Sequence, residues 1–380
     1  MFKIALLTSS RADYSIYYPL IKKIYKNPLI HLDIISFGTH NSLFFGESFK
    51  QIERDGFDIK YKIDALVLGE SPESISDSLG MTMIKFSTIW KLEKYDLILC
   101  LGDRYEMFAA VSSSIPFNIP VAHIAGGEVT LGAIDNIFRN SLTIMSKYHF
   151  VSTEKYKEQV VKLIGYEHRE KVYNVGALSI DNLKKLELLS IEHFHAQFGI
   201  DLSKDSILIT FHPETVSYSK NEFYIDELIA SFAELKAYQL IITMPNADTM
   251  GNMIRQKLNA YIDASSHAFG IESFGTVGYL TCMKYCNFML GNTSSGFVEA
   301  SYFPKFVINL GSRQKGRIET ANIFTIEITK DNILSTIRLV ENSTLPKNCN
   351  IYGDGTASVK IMEVINRLCG FELKDSESDL

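Results

Sequence analysis

No apolar run in this 380-residue chain reaches the roughly 18 to 20 residues that a membrane-crossing helix needs. The opening MFKIALLTSS meets Arg11 and Asp13 too soon for a secretory signal, so the expectation is a cytosolic protein without a membrane partner. Cysteine is scarce. Cys100, Cys282, Cys286, Cys349 and Cys369 are odd in number and form no CxxC pair, which speaks against a metal site built on them. Cys100 and Cys286 sit in apolar runs as small core residues. Positive charge is not in excess either: 38 Lys and Arg stand against 44 Asp and Glu. A formal net charge of -6 weighs against a nucleic-acid partner, although a local basic pocket for a small anion is compatible with it. The first strand also lacks a following GxGxxG, which removes the usual pyrophosphate cradle of NAD enzymes.

What the chain does contain is globular: 46% hydrophobic and 22% charged residues, enough length for two domains, and an alternation of buried strands with amphipathic helices. Lys3 to Leu7 reads as a strand ending in Thr8-Ser9-Ser10-Arg11 before a helix over Ile16 to Tyr25, where Arg11 could meet a phosphate. Leu32 to Phe37 is a second strand, ending in Gly38-Thr39-His40, and a helix is predicted from about Ser42 to Asp55. Ser71 and Pro72 form an N-cap and first helical residue for a long helix to about Leu92.

The densest stretch runs from Asp96 to Asn140. A strand at Leu97 to Leu101 stops at Gly102 and delivers Asp103, Arg104 and Glu106. A second strand, Val121 to Ile124, carries His123 and runs into Gly126-Gly127-Glu128, and Asp135 then opens a helix bearing Arg139. In an open parallel sheet such strand ends lie side by side along one edge, where ligands bind. Asp103, Arg104, His123, Glu128, Asp135 and Arg139 are therefore candidates for one cleft. For Asp103 and Asp135 the alternative is helix capping.

The pattern changes near Gly176, where the domain boundary is placed: 1–176, then 177–370, with 371–380 an acidic tail. Strands are expected at Asp205 to Phe211, Gln239 to Met244, Lys284 to Leu290 and Lys305 to Leu310. They end in His212-Pro213-Glu214, Pro245-Asn246, Gly291-Asn292-Thr293-Ser294-Ser295 and Gly311-Ser312-Arg313. The Gly/Thr/Ser turn before Glu299 offers backbone NH groups, hydroxyls and a helix dipole to a diphosphate. Glu299 could accept hydrogen bonds from a ribose, while Thr293 and Ser294 taken alone could simply be caps. The fold class is thus α/β, with two doubly wound, Rossmann-like domains facing a cleft.

GDRYE at 102–106, HIAGGE at 123–128, AIDNIFRN after it, then FHPET, PNADT, GNTSSGFVE and INLGSRQKGR resemble, in order and from about Lys3 to Arg317, the hydrolysing UDP-N-acetylglucosamine 2-epimerases of sialic and legionaminic acid biosynthesis. The resemblance implies a GT-B-like fold with the closing helix crossing back, commonly a homodimer, acting on a UDP-sugar without a cofactor. UDP is lost and water adds, releasing free N-acetylmannosamine or its 2,4-diacetamido-6-deoxy counterpart. Asp103 and Asp135 fall on the family's catalytic carboxylates. Arg11, Arg104, His212, Asn246, Thr293, Ser294, Glu299 and Arg313 fall on its nucleotide and phosphate contacts, with His40 near the sugar. In one respect the chain departs: where the sialic-acid enzymes carry a catalytic glutamate it has Ala125. Either Asp103, Asp135 and neighbouring Glu128 or His123 divide the proton transfers differently, or the substrate is not plain UDP-N-acetylglucosamine. UDP-N,N'-diacetylbacillosamine is the alternative substrate, a glycosyltransferase of the same architecture a further one, and a catalytically inactive nucleotide-sugar sensor the alternative of another class.

Overall fold

The structure is a computed structural model that describes residues 1–69, 71–131, 134–214, 218–245, 251–347 and 349–370. The first lobe alternates β1 (Phe2–Thr8), α1 (Arg11–Tyr25), β2 (Ile30–Ser36), α2 (Phe49–Arg54), β3 (Ile59–Lys62), α3 (Pro72–Leu92) and β4 (Leu97–Leu101). It continues with α4 (Tyr105–Ser112), β5 (Val121–Ile124), α5 (Asp135–Met145), β6 (Tyr148–Val151), α6 (Glu154–Ile164) and β7 (Val172–Asn174). Its seven strands lie in the order β3-β2-β1-β4-β5-β6-β7, and every described pairing is parallel. β4 is buried at all five residues and β1 at its last five, because helices cover both faces of a parallel sheet and leave no polar side.

Two helices, α7 (Leu178–Lys185) and α8 (Ile191–Phe198), lead into the second lobe. There β8 (Ser206–Thr210), α9 (Asn221–Phe232), β9 (Gln239–Thr243), α10 (Gly251–Asp263), β10 (Ala268–Ile271) and α11 (Gly275–Tyr285) are followed by β11 (Phe288–Gly291) and α12 (Glu299–Tyr302). The lobe closes with β12 (Phe306–Leu310), β13 (Ile323–Ile326) and α13 (Lys330–Glu341). Its parallel strands run β10-β9-β8-β11-β12-β13. In each sheet the chain reverses its direction of winding beside the first strand, between β1 and β4 and between β8 and β11. Such a reversal splays the flanking loops and opens a crevice at the strands' carboxyl ends.

The last helix, α14 (Ala357–Leu368), returns to the first lobe. Its Ala357, Ile361, Val364 and Ile365 join the core formed by Tyr17, Leu20, Ile21 and Ile24 of α1. Asp181 of α7 caps it by accepting from the Ala357 and Ser358 amides at 2.8 and 2.7 Å. The chain crosses between lobes at two adjacent places, where the Ala177 amide donates to the Tyr352 carbonyl at 2.7 Å. We propose a cut at Gly176, with α14 belonging structurally to the first lobe.

Two local expectations are corrected. The 3-10 turn Gly38–Asn41 precedes the helix predicted over Ser42 to Asp55, which is itself a second 3-10 turn, Leu43–Phe45, followed by the short α2. Gly46 and Glu47, both at positive φ, break the helical run. The strand predicted from Lys284 begins only at Phe288, since Lys284 lies in the last turn of α11. Neither β10 nor β13 was anticipated. Both lie at sheet edges with only one of four residues buried, so no continuous apolar run marks them.

Candidate active site

A cavity of about 510 Å³ lies where the carboxyl ends of the two sheets face each other. From the first lobe it is lined by Arg11, Asp103, Arg104, Glu128, Asp135 and Arg139. The second lobe contributes His212, Thr293, Ser294, Ser295, Glu299 and Arg313. These residues come from turns far apart in sequence, and the two sheets bring them to one place.

Asp103 and Asp135 are not caps in the way their positions allowed. Helix α4 starts at Tyr105 and α5 at Asp135 itself, and neither has a side-chain cap bond. Asp103 instead accepts from Arg139 Nη2. Arg139 is buried and gives its other terminal nitrogen to the Glu128 carbonyl at 2.9 Å and to Thr130 Oγ1 at 3.0 Å. Its donors are largely committed to the protein, so it orients Asp103 more than it offers itself to a ligand. Arg104 is similarly engaged, donating through Nε and Nη2 to the two oxygens of buried Glu106 at 3.2 and 3.1 Å.

Two histidines do not reach the cavity. His123 is fully buried on β5, its Nε2 at 2.8 Å from the Gly102 carbonyl and its Nδ1 at 3.1 Å from Thr143 Oγ1. Burial pushes its pKa down to about 4 even though the Gly102 carbonyl favours the protonated ring. His40 is also fully buried, between Thr8 Oγ1 at 2.9 Å and Ser48 Oγ at 2.8 Å. Burial, then the charge of Arg11, lowers it to about 3. The expectations of a catalytic His123 and a sugar-side His40 are corrected: alternation along β5 turns the His123 ring into the scaffold, the 3-10 turn Gly38–Asn41 does the same for His40, and both nitrogens of each ring are occupied. Asn246 lies outside the described residues.

The Gly291 to Glu299 segment is built differently from its expected form. Gly291 has φ +148°, and a Cβ there would stand 1.9 Å from the Thr210 carbonyl oxygen, so only glycine lets β8 and β11 approach this closely. The turn continues as a 3-10 helix, Ser294–Gly296, and then the single-turn α12, stopped ahead of Pro304. Thr293 is a cap as well as a cavity residue, accepting from the Ser295 amide at 3.4 Å. The helix whose dipole was expected to help is cut to a 3-10 turn and the four-residue α12, which leaves hydroxyls, turn amides and arginine to attract an anion. Burial raises the Glu299 pKa, while a hydrogen bond from Ser179 and the charge of Arg317 pull it back.

Several positions at or beside the cavity are not among the residues that the sequence singles out. Asp13 lines the cavity and is buried, its Oδ2 accepting from the Ser9 amide at 2.9 Å and the Ser9 hydroxyl at 2.6 Å. Burial raises its pKa against the pull of those bonds and of Arg104. Tyr279, from α11, donates or accepts at 2.6 Å with Ser295 Oγ. Asn292 clamps the His212 backbone, with its Oδ1 accepting from the amide at 2.7 Å and its Nδ2 donating to the carbonyl at 2.8 Å. Arg317 enters an ion pair with Glu128 at 2.6 Å. Asp13, Asn292 and Arg317 lie in strand-end segments or in the motifs named above, whereas Tyr279 lies within α11 and no motif marks it. Ala125 lines the cavity too, at φ +67°, a left-handed conformation uncommon outside glycine.

Fold and site together define a two-lobed α/β protein with an interlobe ligand cleft. Its architecture matches the crystal structure of UDP-GlcNAc 2-epimerase from Neisseria meningitidis bound to UDP-GlcNAc, with a TM-score of 0.80 at 18% identity over 96% of this chain and 100% of that one. The UDP-GlcNAc 2-epimerase of Methanocaldococcus jannaschii matches equally, with a TM-score of 0.80 at 19% identity over the same shares. The model of the family described as UDP-N-acetylglucosamine 2-epimerase matches residues 22–366, and the chain belongs to that family of enzymes. Among curated relatives, the GDP/UDP-N,N'-diacetylbacillosamine 2-epimerase (hydrolyzing) of Campylobacter jejuni is 36% identical over 86% of this chain and 84% of its own. The UDP-N,N'-diacetylbacillosamine 2-epimerase (hydrolyzing) of Legionella pneumophila is 31% identical over 96% of both. Polysialic acid biosynthesis protein P7 of Escherichia coli is 32% identical over 99% of this chain and 96% of its own. Among the described residues, no helix is long and apolar enough to cross a membrane.

Proposed function

We propose that the protein is a hydrolysing 2-epimerase that eliminates UDP from a UDP-2-acetamido sugar and releases the free sugar with C2 inverted. The observation that carries this reading is the meeting of Asp103 and Asp135 with Thr293, Ser294 and Arg313 in one cavity. The C2 proton of such a sugar is not acidic until the bond from C1 to the UDP oxygen stretches and positive charge grows on the ring. Leaving-group stabilisation therefore leads, and the second-lobe turns supply it with Arg313 and hydroxyl groups. Asp103 or Asp135 takes the C2 proton as C1–O cleaves, giving a glycal and UDP. Water then adds across the glycal: its hydroxyl bonds to C1, the other carboxyl group, in its protonated form, delivers a proton to the opposite face of C2, and the proton released by the water restores that group.

For the sugar we favour UDP-N,N'-diacetylbacillosamine, on the strength of the Campylobacter and Legionella relatives and of the small Ala125 side chain at the cavity wall. UDP-N-acetylglucosamine is the second reading, supported by the family model and by a 27% identical UDP-N-acetylglucosamine 2-epimerase from Neisseria meningitidis. Incubating the protein with each UDP-sugar and following products by NMR decides between them. Free 2,4-diacetamido-6-deoxymannose is the expected product, with slower turnover of UDP-N-acetylglucosamine. A sugar transferred to an added acceptor, or no UDP release from either substrate, overturns the hydrolysing reading.

A homodimer is part of the same proposal. Ile137 and Ile144 of α5 and Met81 and Ile84 of α3 are exposed on the first lobe, and a second copy would remove this apolar surface from water. Sedimentation velocity is expected to show twice the chain mass of 42.9 kDa.

A further inference from the structure

The turn that follows β12, residues 311–317, is fastened at both ends. On its own lobe Arg313 donates to the Pro213 carbonyl at 2.5 Å, and the Ser312 amide donates to Glu214 Oε1 at 2.7 Å. Toward the first lobe, Lys315 accepts from the Leu131 amide at 2.8 Å, and Arg317 Nη1 donates to Glu128 Oε2 at 2.6 Å. The approach is close enough to require glycine: Gly316 has φ +97°, and a Cβ there would lie 2.3 Å from Val129 Cγ1. From Arg317 the connection runs inward. Its Nε donates to Gln314 Oε1 at 2.6 Å, Gln314 Nε2 donates to the Asn292 carbonyl at 2.8 Å, and the Asn292 side chain clamps the His212 backbone.

We infer that Glu128 and Arg317 are positioning residues, a buried ion pair between lobes that sets the spacing of the turns carrying His212, Thr293 and Arg313, and that Glu128 transfers no proton. This rests on the proposed function for what the turns hold. Both side chains are more than nine-tenths buried. The remaining Glu128 oxygen accepts from Ser152 Oγ at 3.3 Å. Burial opposes the Arg317 charge, but Glu128, with Tyr156 and Tyr352 beside it, outweighs that and holds the guanidinium above its ordinary range. A proton on Glu128 would strand that guanidinium as an unpaired buried charge, a state proteins avoid. The carboxylate is thereby committed to the pair.

A double-mutant cycle on the full chain tests this, read by calorimetric UDP affinity and by turnover of the UDP-sugar. Glu128→Gln and Arg317→Met are each expected to weaken UDP binding about tenfold or more. The double variant is expected to bind no more weakly than the worse single, because removing both partners leaves no stranded charge. The pH limbs of kcat in Glu128→Gln stay where they are in the wild type. Gly316→Ala, which keeps both charged groups and blocks the docking, is expected to weaken UDP binding as well, and it stands in if a charge variant fails to fold. Turnover lowered in Glu128→Gln with unchanged UDP affinity and a pH limb of the residual kcat lost, or additive effects in the cycle, overturns the inference. Coupling in UDP binding without turnover of any UDP-sugar sinks the epimerase reading alone. A wild-type protein that binds no UDP sinks both.

Discussion

At the residue scale, the ionisable groups near the cleft separate into those that face the cavity and those that the scaffold has consumed. Asp103 and Asp135 belong to the first kind. Asp103→Asn and Asp135→Asn are each expected to lower turnover by about a hundred- to ten-thousand-fold, the usual worth of a general acid or base. UDP affinity should be kept, and deuterium uptake at C2 from D2O should be lost. Full activity in both variants discards the assignment. His123 belongs to the second kind, since a ring held near pKa 4 is neutral at pH 7, and its single N–H and its remaining ring nitrogen are both engaged within the scaffold. His123→Leu is therefore expected to cost about 1–3 kcal/mol of stability, the penalty for leaving the Gly102 carbonyl and Thr143 hydroxyl short of a partner. The pH limbs of kcat should not move.

At the scale of elements, legibility followed the strength of local signals. Helix α3 begins at Pro72 behind Ser71, whose hydroxyl accepts from the Ser74 amide at 3.1 Å, and it ends at Leu92. Cap, proline and amphipathic spacing agree, so the sequence reading and the structure coincide there. Ser71→Ala is expected to destabilise the protein by about 1 kcal/mol, with faster amide exchange confined to the first turn of α3. The edge strands β10 and β13 were illegible for the opposite reason. The turn after β11 differs in another way: the Gly/Thr/Ser turn is expected to run directly into a helix carrying Glu299, but the backbone forms a 3-10 turn, Ser294–Gly296, and then only the four-residue α12.

At the scale of the whole molecule, the three buried sheet-edge and strand histidines make stability depend on pH. His40, His123 and His149 have folded-state pKa values lowered by burial to about 3, 4 and 3, from an ordinary value of 6.5. Above pH 6.5 both the folded and unfolded chains carry these rings neutral, so their contribution to stability is fully present. As pH falls below 6.5 only the unfolded chain takes up protons, and stability declines until the folded rings titrate near pH 3 to 4. Each group contributes a slope of about 1.4 kcal/mol per pH unit in that window, so the three together give up to about 4 kcal/mol per unit. Urea unfolding between pH 7 and 4.5 checks this, and a flat profile would contradict it.

The alternation of buried strands with amphipathic helices, the polar strand ends and the motifs that they carry are written in the chain itself, because periodicity and turn chemistry are local. The strand ends grouped Asp103 with Asp135 and marked the Gly/Thr/Ser turn, and the family resemblance carried by the motifs added Arg313. Which way a side chain points once its element is buried, and which charge meets which, depend on partners in other elements, from 8 residues away for His40 and Ser48 to 189 for Glu128 and Arg317. Only the packed lobes turned His40 and His123 inward, bound Arg139 to Asp103, and joined Glu128 to Arg317 across the cleft.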